Sequence, residues 1–166
     1  MSGKKDGTGN MTSDSNAATL SQLERRLFGP SAEDVPSVFL QVLRRYVTVT
    51  ATTLVNTHAN PSRHSVCWLD GTLFGGLSCA AFGDTADPII RGAVVPIRQL
   101  RLATIKVHDI EQDPVTGEAT RWKRSTVFDL GRGEDLTFTA TDTATLDTDE
   151  AGRFVDAVVL AMRQRQ

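Results

Sequence analysis

The sequence predicts a mainly β protein, in which an antiparallel sheet of six or seven strands closes on itself and a C-terminal α-helix caps it. Three features predict this class. β-branched and aromatic residues alternate with polar ones through much of residues 46–141, turn-forming residues separate these stretches, and one amphipathic segment follows them. Alternation of this kind is typical of half-buried strands, and closing the sheet would remove exposed strand edges.

Composition limits the classes of protein that fit. The chain has 166 residues and a net charge of −2, which favours one domain with appendages and gives no general attraction to nucleic acid or anionic lipid. No segment approaches the ~20 apolar residues of a membrane helix, and the N-terminus lacks a signal-peptide core. We therefore expect a cytoplasmic protein, with the nucleus as a second location, and reduced thiols at Cys67 and Cys79.

The first 45 residues differ in composition from the rest. Residues 1–18 are mostly small and polar and predict a disordered tail. Residues 19–45 predict a helical extension with one helix over 19–28, ended by Gly29-Pro30, and a second over 34–45. The main domain is then residues 46–166.

Period-two alternation begins at Tyr46. Asp70-Gly71 predicts a hairpin turn, Gly75-Gly76 predicts a bulge or bend, and a loop is expected over residues 83–92. Another loop is expected over residues 113–117. The predicted strands are residues 46–55, 64–69, 72–82, 122–130 and 136–141, with one or two more strands over residues 94–98 and 100–107.

The last predicted element is a helix near the C-terminus. Asp147 or Thr148 is the expected N-cap, and Glu150 would lie in the first turn, where the helix dipole favours negative charge. Its apolar stripe must pack against the sheet. The residues expected to form the structural core are Trp68, Phe128, Phe154 and Val158.

The sequence contains a few residues of the types that bind metal ions. His58, His64, Cys67 and Cys79 are potential ligands, but only His64 and Cys67 have a typical ligand spacing, and no second pair follows. The pattern therefore predicts no metal and no cofactor.

Catalytic motifs are equally weak. His108 lies beside Asp109, but the sequence places no nucleophile with them. Residues 76–80 have a nucleophile-elbow spacing without the strand-turn-helix context that this motif requires. The basic residues around Trp122 fit a strand better than a nucleic-acid surface. We expect no catalytic residue and a non-enzymatic protein.

The segment Ser62–Gly71, which ends in Trp-Leu-Asp-Gly, resembles the pICln/Lot5 family of pleckstrin-homology (PH)-like proteins. The order of later pieces is also similar over about Val47–Gln164. These pieces are Gly75–Ser78, Val95–Leu100, Asp135–Thr139 and Asp147–Met162.

The resemblance implies a PH-like barrel or sandwich over residues 46–166 that acts as a protein-interaction scaffold. It further implies a chaperone of Sm proteins in snRNP assembly, which would present them to an arginine methyltransferase in the methylosome. The partner would bind by strand addition. The edge segments expected for it are Leu136–Thr141 and Val94–Val107, and the binding residues are Leu136, Thr137, Phe138 and Thr139.

Two alternatives stay open at this point. A phosphoinositide- or membrane-binding PH domain needs a basic cluster near the first hairpin, where only Arg63 and His64 are obvious. A structural subunit of a larger complex would dock through residues 19–45 on a partner or on a second copy. Direct binding of nucleic acid is not expected.

Overall fold

The computed structural model describes residues 22, 24–29, 35–59, 62–80, 87–131 and 135–164. The chain divides into two compact units, Met1–Val49 and Thr50–Gln166. Its described residues are mainly β, as predicted, and form seven antiparallel strands, a C-terminal helix and short N-terminal helices. The elements are α1 (Ser37–Leu43), β1 (Thr52–Ala59), β2 (Ser62–Asp70), β3 (Leu73–Ala80), β4 (Ile89–Pro96), a 3₁₀ turn (Ile97–Gln99), β5 (Arg101–Gln112), β6 (Ala119–Asp129), β7 (Asp135–Thr143) and α2 (Glu150–Arg163).

The first unit contains helical residues at 24–28 and the helix α1. Phe28 and Phe39 meet edge to face with their ring centroids 6.4 Å apart, and both side chains are buried. The tail predicted over residues 1–18 and the start of the first predicted helix lie outside the described residues. The second predicted helix is shorter than expected, because it begins after Pro36 and ends at Leu43.

The strand predicted to begin at Tyr46 begins instead at Thr52. The backbone N–H groups of Tyr46 and Val47 both donate to the carbonyl of Leu43, at 3.0 and 2.9 Å. These bonds continue the helical turn beyond α1. The alternation from residue 46 to 51 therefore belongs to a turn that buries Val47, and the strand prediction was wrong there.

The first sheet has the strand order β1-β2-β3-β4. β2 pairs with β3 in unbroken register, so the bulge predicted at Gly75-Gly76 is absent. Gly75 lies directly opposite Trp68, and a Cβ at this position would overlap the indole ring. Glycine is needed here because it leaves room for a buried aromatic side chain. In the sequence alone, a glycine within a strand indicates a bend equally well.

The loop predicted over residues 83–92 was partly wrong, because residues 89–92 belong to β4. Residues 81–86 lie outside the described part. Gly92 pairs with Leu77, and a Cβ on it would collide with the carbonyl oxygen of Gly76. Its presence reflects a close approach of two backbones within the sheet rather than a loop.

The second sheet has the order β5-β6-β7. Its pairing of β5 with β6 is irregular, because the register shifts between Leu102 and Thr104, between His108 and Glu111, and between Glu111 and Gln112. Asp109, in the second shift, has a φ of 51°. No ladder joins the two sheets among the described residues, so the closed sheet predicted from the sequence is not observed.

The core of the second unit lies between the two sheets and α2. It includes Phe74 from β3, Phe128 from β6, Phe138 from β7 and Phe154 from α2. Phe128, Phe154 and Val158, three of the residues expected to be structural, belong to this core. The fourth, Trp68, lies on the other face of the first sheet from Phe74. All four are at most 1% exposed.

The N-cap of α2 is Asp149, so the prediction of Asp147 or Thr148 was wrong. The Asp149 side chain accepts a hydrogen bond from the N–H of Gly152 at 2.9 Å, which satisfies a donor of the first turn. The Thr148 hydroxyl instead donates to Asp142, at 2.6 Å. Glu150 occupies the first turn, as predicted.

One buried polar atom in the second sheet has no hydrogen-bond partner within the described residues, the hydroxyl oxygen of Thr126. Thr126 is 1% exposed and lies opposite Phe138. A buried hydroxyl without a partner costs about 1–3 kcal/mol. We expect Thr126→Val, which keeps the side-chain shape, to raise the free energy of unfolding by about 1 kcal/mol in urea denaturation. A loss of stability would mean that the hydroxyl has a hydrogen-bond partner.

Candidate protein-binding cleft

A cleft of about 990 Å³ opens between the two sheets and is here called the inter-sheet cleft. Its floor comes from β1 to β4, and its wall comes from β7 and the first residues of α2. The residues that line it include Leu54, Asn56, Ser65, Cys67, Gly76, Ser78, Thr137, Thr139, Asp149 and Glu150.

The floor mixes polar and apolar side chains in a regular way. Cys67 pairs with Leu54 of β1 and with Gly76 of β3. Two residues away on the same face, Ser65 pairs with Asn56 and with Ser78. Directly opposed residues share one face of a sheet. The floor therefore offers an apolar row beside a row of hydroxyl and amide groups.

Cys67 carries the one thiol among the lining residues of the cleft. Burial raises its pKa to about 11, so the thiol keeps its proton at neutral pH. A protonated thiol is a poor nucleophile and a poor metal ligand. We therefore assign Cys67 to packing.

The potential metal ligands whose side chains the structure describes are split between the two faces of the first sheet. Cys79 pairs with His64, whereas Cys67 faces the opposite side of the same sheet, and the side chain of His58 lies outside the described residues. No cluster of three or more potential ligands occurs in the described part of the chain.

The wall of the cleft is built on β7, and all four predicted binding residues line it. They differ in availability: Phe138 is 8% exposed and belongs to the core, Leu136 packs against the core, and Thr137 and Thr139 are exposed. β7 is an edge strand of its sheet. What it can offer to a partner is therefore mainly its backbone at the two threonines.

Hydrogen bonds to Asp149 show which backbone groups of β7 point away from β6. The N–H of Thr141 donates to the Asp149 carboxylate at 2.8 Å, and the carbonyl of Thr141 accepts from the Asp149 N–H at 3.1 Å. Groups of successive residues in a strand point to opposite sides in the plane of the sheet. Those of Thr137 and Thr139 therefore point the same way as those of Thr141, toward the cleft. The sequence could not reveal this, because it depends on strand order and register.

A charged network ties β7 to β6 and α2 away from the cleft. Arg124 donates to Asp142 at 2.8 Å through Nε and to Asp156 at 2.8 Å through a terminal nitrogen. Hydrogen bonds from Thr148, Arg124 and Trp122 lower the pKa of Asp142 and outweigh the opposing effect of its burial. The Arg124 side chain is thus engaged on the inner face and is not part of a basic surface around Trp122.

This network predicts a pH-dependent stability. Because folding lowers the pKa of Asp142, its contribution is complete above the ordinary carboxyl pKa of about 3.9 and is lost as the pH falls through the folded value. We expect Asp142→Asn to cost about 1–3 kcal/mol at pH 7, and the difference from wild type to shrink as the pH falls below about 4. Urea denaturation at several pH values measures this difference.

The matched control is Asp156→Asn. Asp156 bonds to the same guanidinium, but its side chain is 55% exposed, whereas that of Asp142 is 14% exposed. We expect the control to cost less than about 1 kcal/mol. Equal costs for the two variants would contradict this account of the network.

The structure places a hydroxyl beside His108 that sequence reasoning missed. His108 Nε2 lies 2.9 Å from the Ser125 hydroxyl, and His108 Nδ1 lies 3.4 Å from the Asp109 carboxylate, which also binds Lys123 at 2.9 Å. Ser125 lies in the central strand β6, whose backbone donors are used by β5 and β7. A serine nucleophile needs free N–H groups to stabilise its oxyanion, so we interpret this group as a cross-strand polar ladder.

Arg63 and His64, the basic residues near the first hairpin whose side chains the structure describes, do not together form an exposed basic cluster. His64 is 3% exposed, so its ring is buried in the sheet, while Arg63 is exposed. None of the helices that the structure describes combines the length and apolar character needed to cross a bilayer.

Comparison of the chain with protein-family models, with curated proteins and with solved structures finds no match.

Proposed function

We propose that this chain is a non-enzymatic, PH-like protein-binding domain that captures an extended segment of a partner by strand addition to β7 in the inter-sheet cleft. The observation that carries the proposal is the outward direction of the Thr137 and Thr139 backbone groups at an edge that opens onto a cleft. The succession of a four-stranded sheet, a three-stranded sheet and a closing helix supports the PH-like assignment.

Strand addition uses backbone groups for affinity and pockets for specificity. The outward N–H and C=O groups of Thr137 and Thr139 supply two donors and two acceptors. The floor of the cleft then contacts alternate side chains of the bound segment. Its apolar row at Leu54 and Cys67 fits an aliphatic side chain, and its polar row at Ser65 and Ser78 fits a hydroxyl or amide.

The partner class follows from the resemblance to the pICln/Lot5 family. Sm-fold proteins carry exposed strand edges before they assemble into rings, and such an edge is the chemistry that an edge-strand receptor recognises. The proposed role is therefore that of an assembly chaperone, which holds an Sm-fold protein by its edge.

The test replaces a backbone donor without altering the sheet. Thr137→Pro removes an N–H that points away from β6, and an edge strand tolerates proline in that position. Thr137→Val changes the side chain but keeps the donor. With purified Sm-fold proteins as probes in isothermal titration, we expect the proline variant to bind at least about tenfold more weakly and the valine variant to bind within about twofold of wild type.

Two results would overturn the proposal. Equal binding by the proline variant and wild type would place the partner elsewhere, and no binding of any Sm-fold protein would remove this partner class. Sedimentation with phosphoinositide vesicles tests the membrane alternative. Vesicle binding that Thr137→Pro leaves unchanged would favour that alternative instead.

A further inference from the structure

We propose that β5 is a self-complementary edge through which two copies of this chain pair antiparallel about a two-fold axis at Lys106. β5 and β7 are opposite edges of the same sheet. The proposed contact therefore uses a different surface from the inter-sheet cleft and does not depend on the function proposed for it.

The edge of β5 carries a row of exposed aliphatic side chains. Leu102, Ile105, Val107 and Ile110 are 41%, 53%, 49% and 55% exposed. Leu102 and Ile105 lie opposite Phe128 and Thr126, on the face that forms the core further along the sheet. Apolar side chains that continue a core face to an uncovered edge favour a partner that extends the sheet.

The direction of the β5 backbone follows from the register. The backbone N–H and C=O groups of Thr139 point away from β6, so those of its partner Ser125 point away from β7 and toward β5. Lys106 lies opposite Ser125, and its backbone groups therefore point toward β6. Ile105 and Val107 therefore direct their N–H and C=O groups outward. The residues with aliphatic side chains are thus also those with backbone groups available for a second copy.

The two register shifts within residues 101–111 make this part of the strand symmetric about Lys106. With the shifts at Leu102/Thr104 and His108/Glu111 counted, one face carries residues 101, 104, 106, 108 and 111, and the other carries 102, 105, 107 and 110. Reversing the strand about residue 106 maps each set onto itself. In this register the residue numbers of each pair add up to 212. A register in which they add up to 210 would place Leu102 opposite His108, and one in which they add up to 214 would place Thr104 opposite Ile110, so neither matches residues of the same face.

This register pairs residues of matching chemistry. Ile105 lies opposite Val107 of the second copy, where the two can exchange backbone hydrogen bonds, and Leu102 lies opposite Ile110. Arg101 and Glu111, both exposed, also lie opposite one another, so each end of the contact has an ion pair. Lys106 meets its own copy on the axis, on the face that carries the polar side chains.

The first measurement is the mass of the wild-type chain by sedimentation velocity. We expect a shift from 18.0 kDa toward twice that mass as the concentration rises from about 1 µM to about 1 mM. Bulges and lysines also protect edge strands from pairing, and that role alone predicts a monomer throughout. A monomer over the whole range would overturn the proposal.

The second measurement tests the register with exposed residues, whose replacement should not prevent folding. Arg101→Glu and Glu111→Arg should each weaken the dimer at least about tenfold, and the double variant should recover most of the wild-type affinity. Lys106→Gln should tighten the dimer, because it removes a like-charge pair. Absence of recovery in the double variant, or weaker pairing by Lys106→Gln, would overturn the assigned register.

The third measurement tests the face. Ile105→Lys should be monomeric where wild type is dimeric, whereas Val115→Lys, at a 90% exposed position in the turn after β5, should dimerise normally. Far-UV circular dichroism checks that both variants are folded. A dimer that persists in Ile105→Lys would place the contact elsewhere and contradict the proposal.

Discussion

Phe154→Ala is expected to lower the free energy of unfolding by about 3–5 kcal/mol, the range found when a large buried aromatic residue is truncated. Phe154 is 1% exposed and belongs to α2. Its ring centroid lies 5.6 Å from that of Phe138 in β7 and 6.2 Å from that of Phe74 in β3. One side chain thus joins the helix to both sheets, and its loss leaves a cavity that none of the three elements can fill alone.

The control for this prediction is Leu160→Ala in the same helix. Leu160 is 56% exposed, so its truncation should cost less than about 1 kcal/mol with little change in helix propensity. Urea denaturation followed by circular dichroism gives both values. Similar costs for the two variants would mean that α2 does not pack on the sheets through Phe154.

The loss of Phe154 should also affect the cleft. The first residues of α2 form part of its wall, and Asp149 holds Thr141 of β7 through two hydrogen bonds. If α2 loosens, the direction of the β7 edge is no longer fixed. We therefore expect weaker partner binding even at temperatures where Phe154→Ala is still folded.

The parts of the fold that sequence patterns predicted well are those where one physical rule acts alone. The alternation in β6 and β7 reflects one buried face, and the stripe of α2 reflects one packed side. Asp70-Gly71 turns as expected, with Gly71 at a φ of 55°. In each case the local pattern and the tertiary environment require the same residues.

The errors come from residues with two possible meanings. Val47 is apolar in a period-two pattern, yet it lies in a turn fixed by hydrogen bonds to Leu43. Gly92 resembles a loop residue, yet it lies within β4. Glycine is required there because the carbonyl oxygen of Gly76 leaves no room for a Cβ. Deciding such cases requires knowing what lies across the sheet, which the sequence alone does not state.

The geometry of the candidate site depends even more on strand order and register, which the sequence alone does not state. Leu136 to Thr139 were expected to bind a partner as a strand edge, and the structure places them on the wall of a cleft. Which of these residues direct their backbone outward depends on the register with β6 and on the bond from Thr141 to Asp149. The contact between His108 and Ser125 likewise depends on register, since 17 positions separate the two residues.

Gly75→Ala is expected to cost about 3 kcal/mol or more, at the upper end of the range for overpacked cores. A Cβ on Gly75 would lie 2.8 Å from Nε1 of Trp68 and closer still to two ring carbons. Trp68 is 1% exposed and directly opposite Gly75, so the indole has no room to withdraw without leaving its rotamer. The melting temperature should fall by about 10 °C or more.

Gly76→Ala is the matched control, one residue along the same strand. The nearest atom to a Cβ there is the sulfur of Cys67, at 3.5 Å, an ordinary contact. We expect this variant to keep its stability within about 1 kcal/mol, because alanine also has less backbone freedom to lose on folding. Tryptophan fluorescence during denaturation measures both. If Gly75→Ala were as stable as Gly76→Ala, Trp68 could not lie across Gly75, and the register of β2 with β3, on which the floor of the cleft depends, would be wrong.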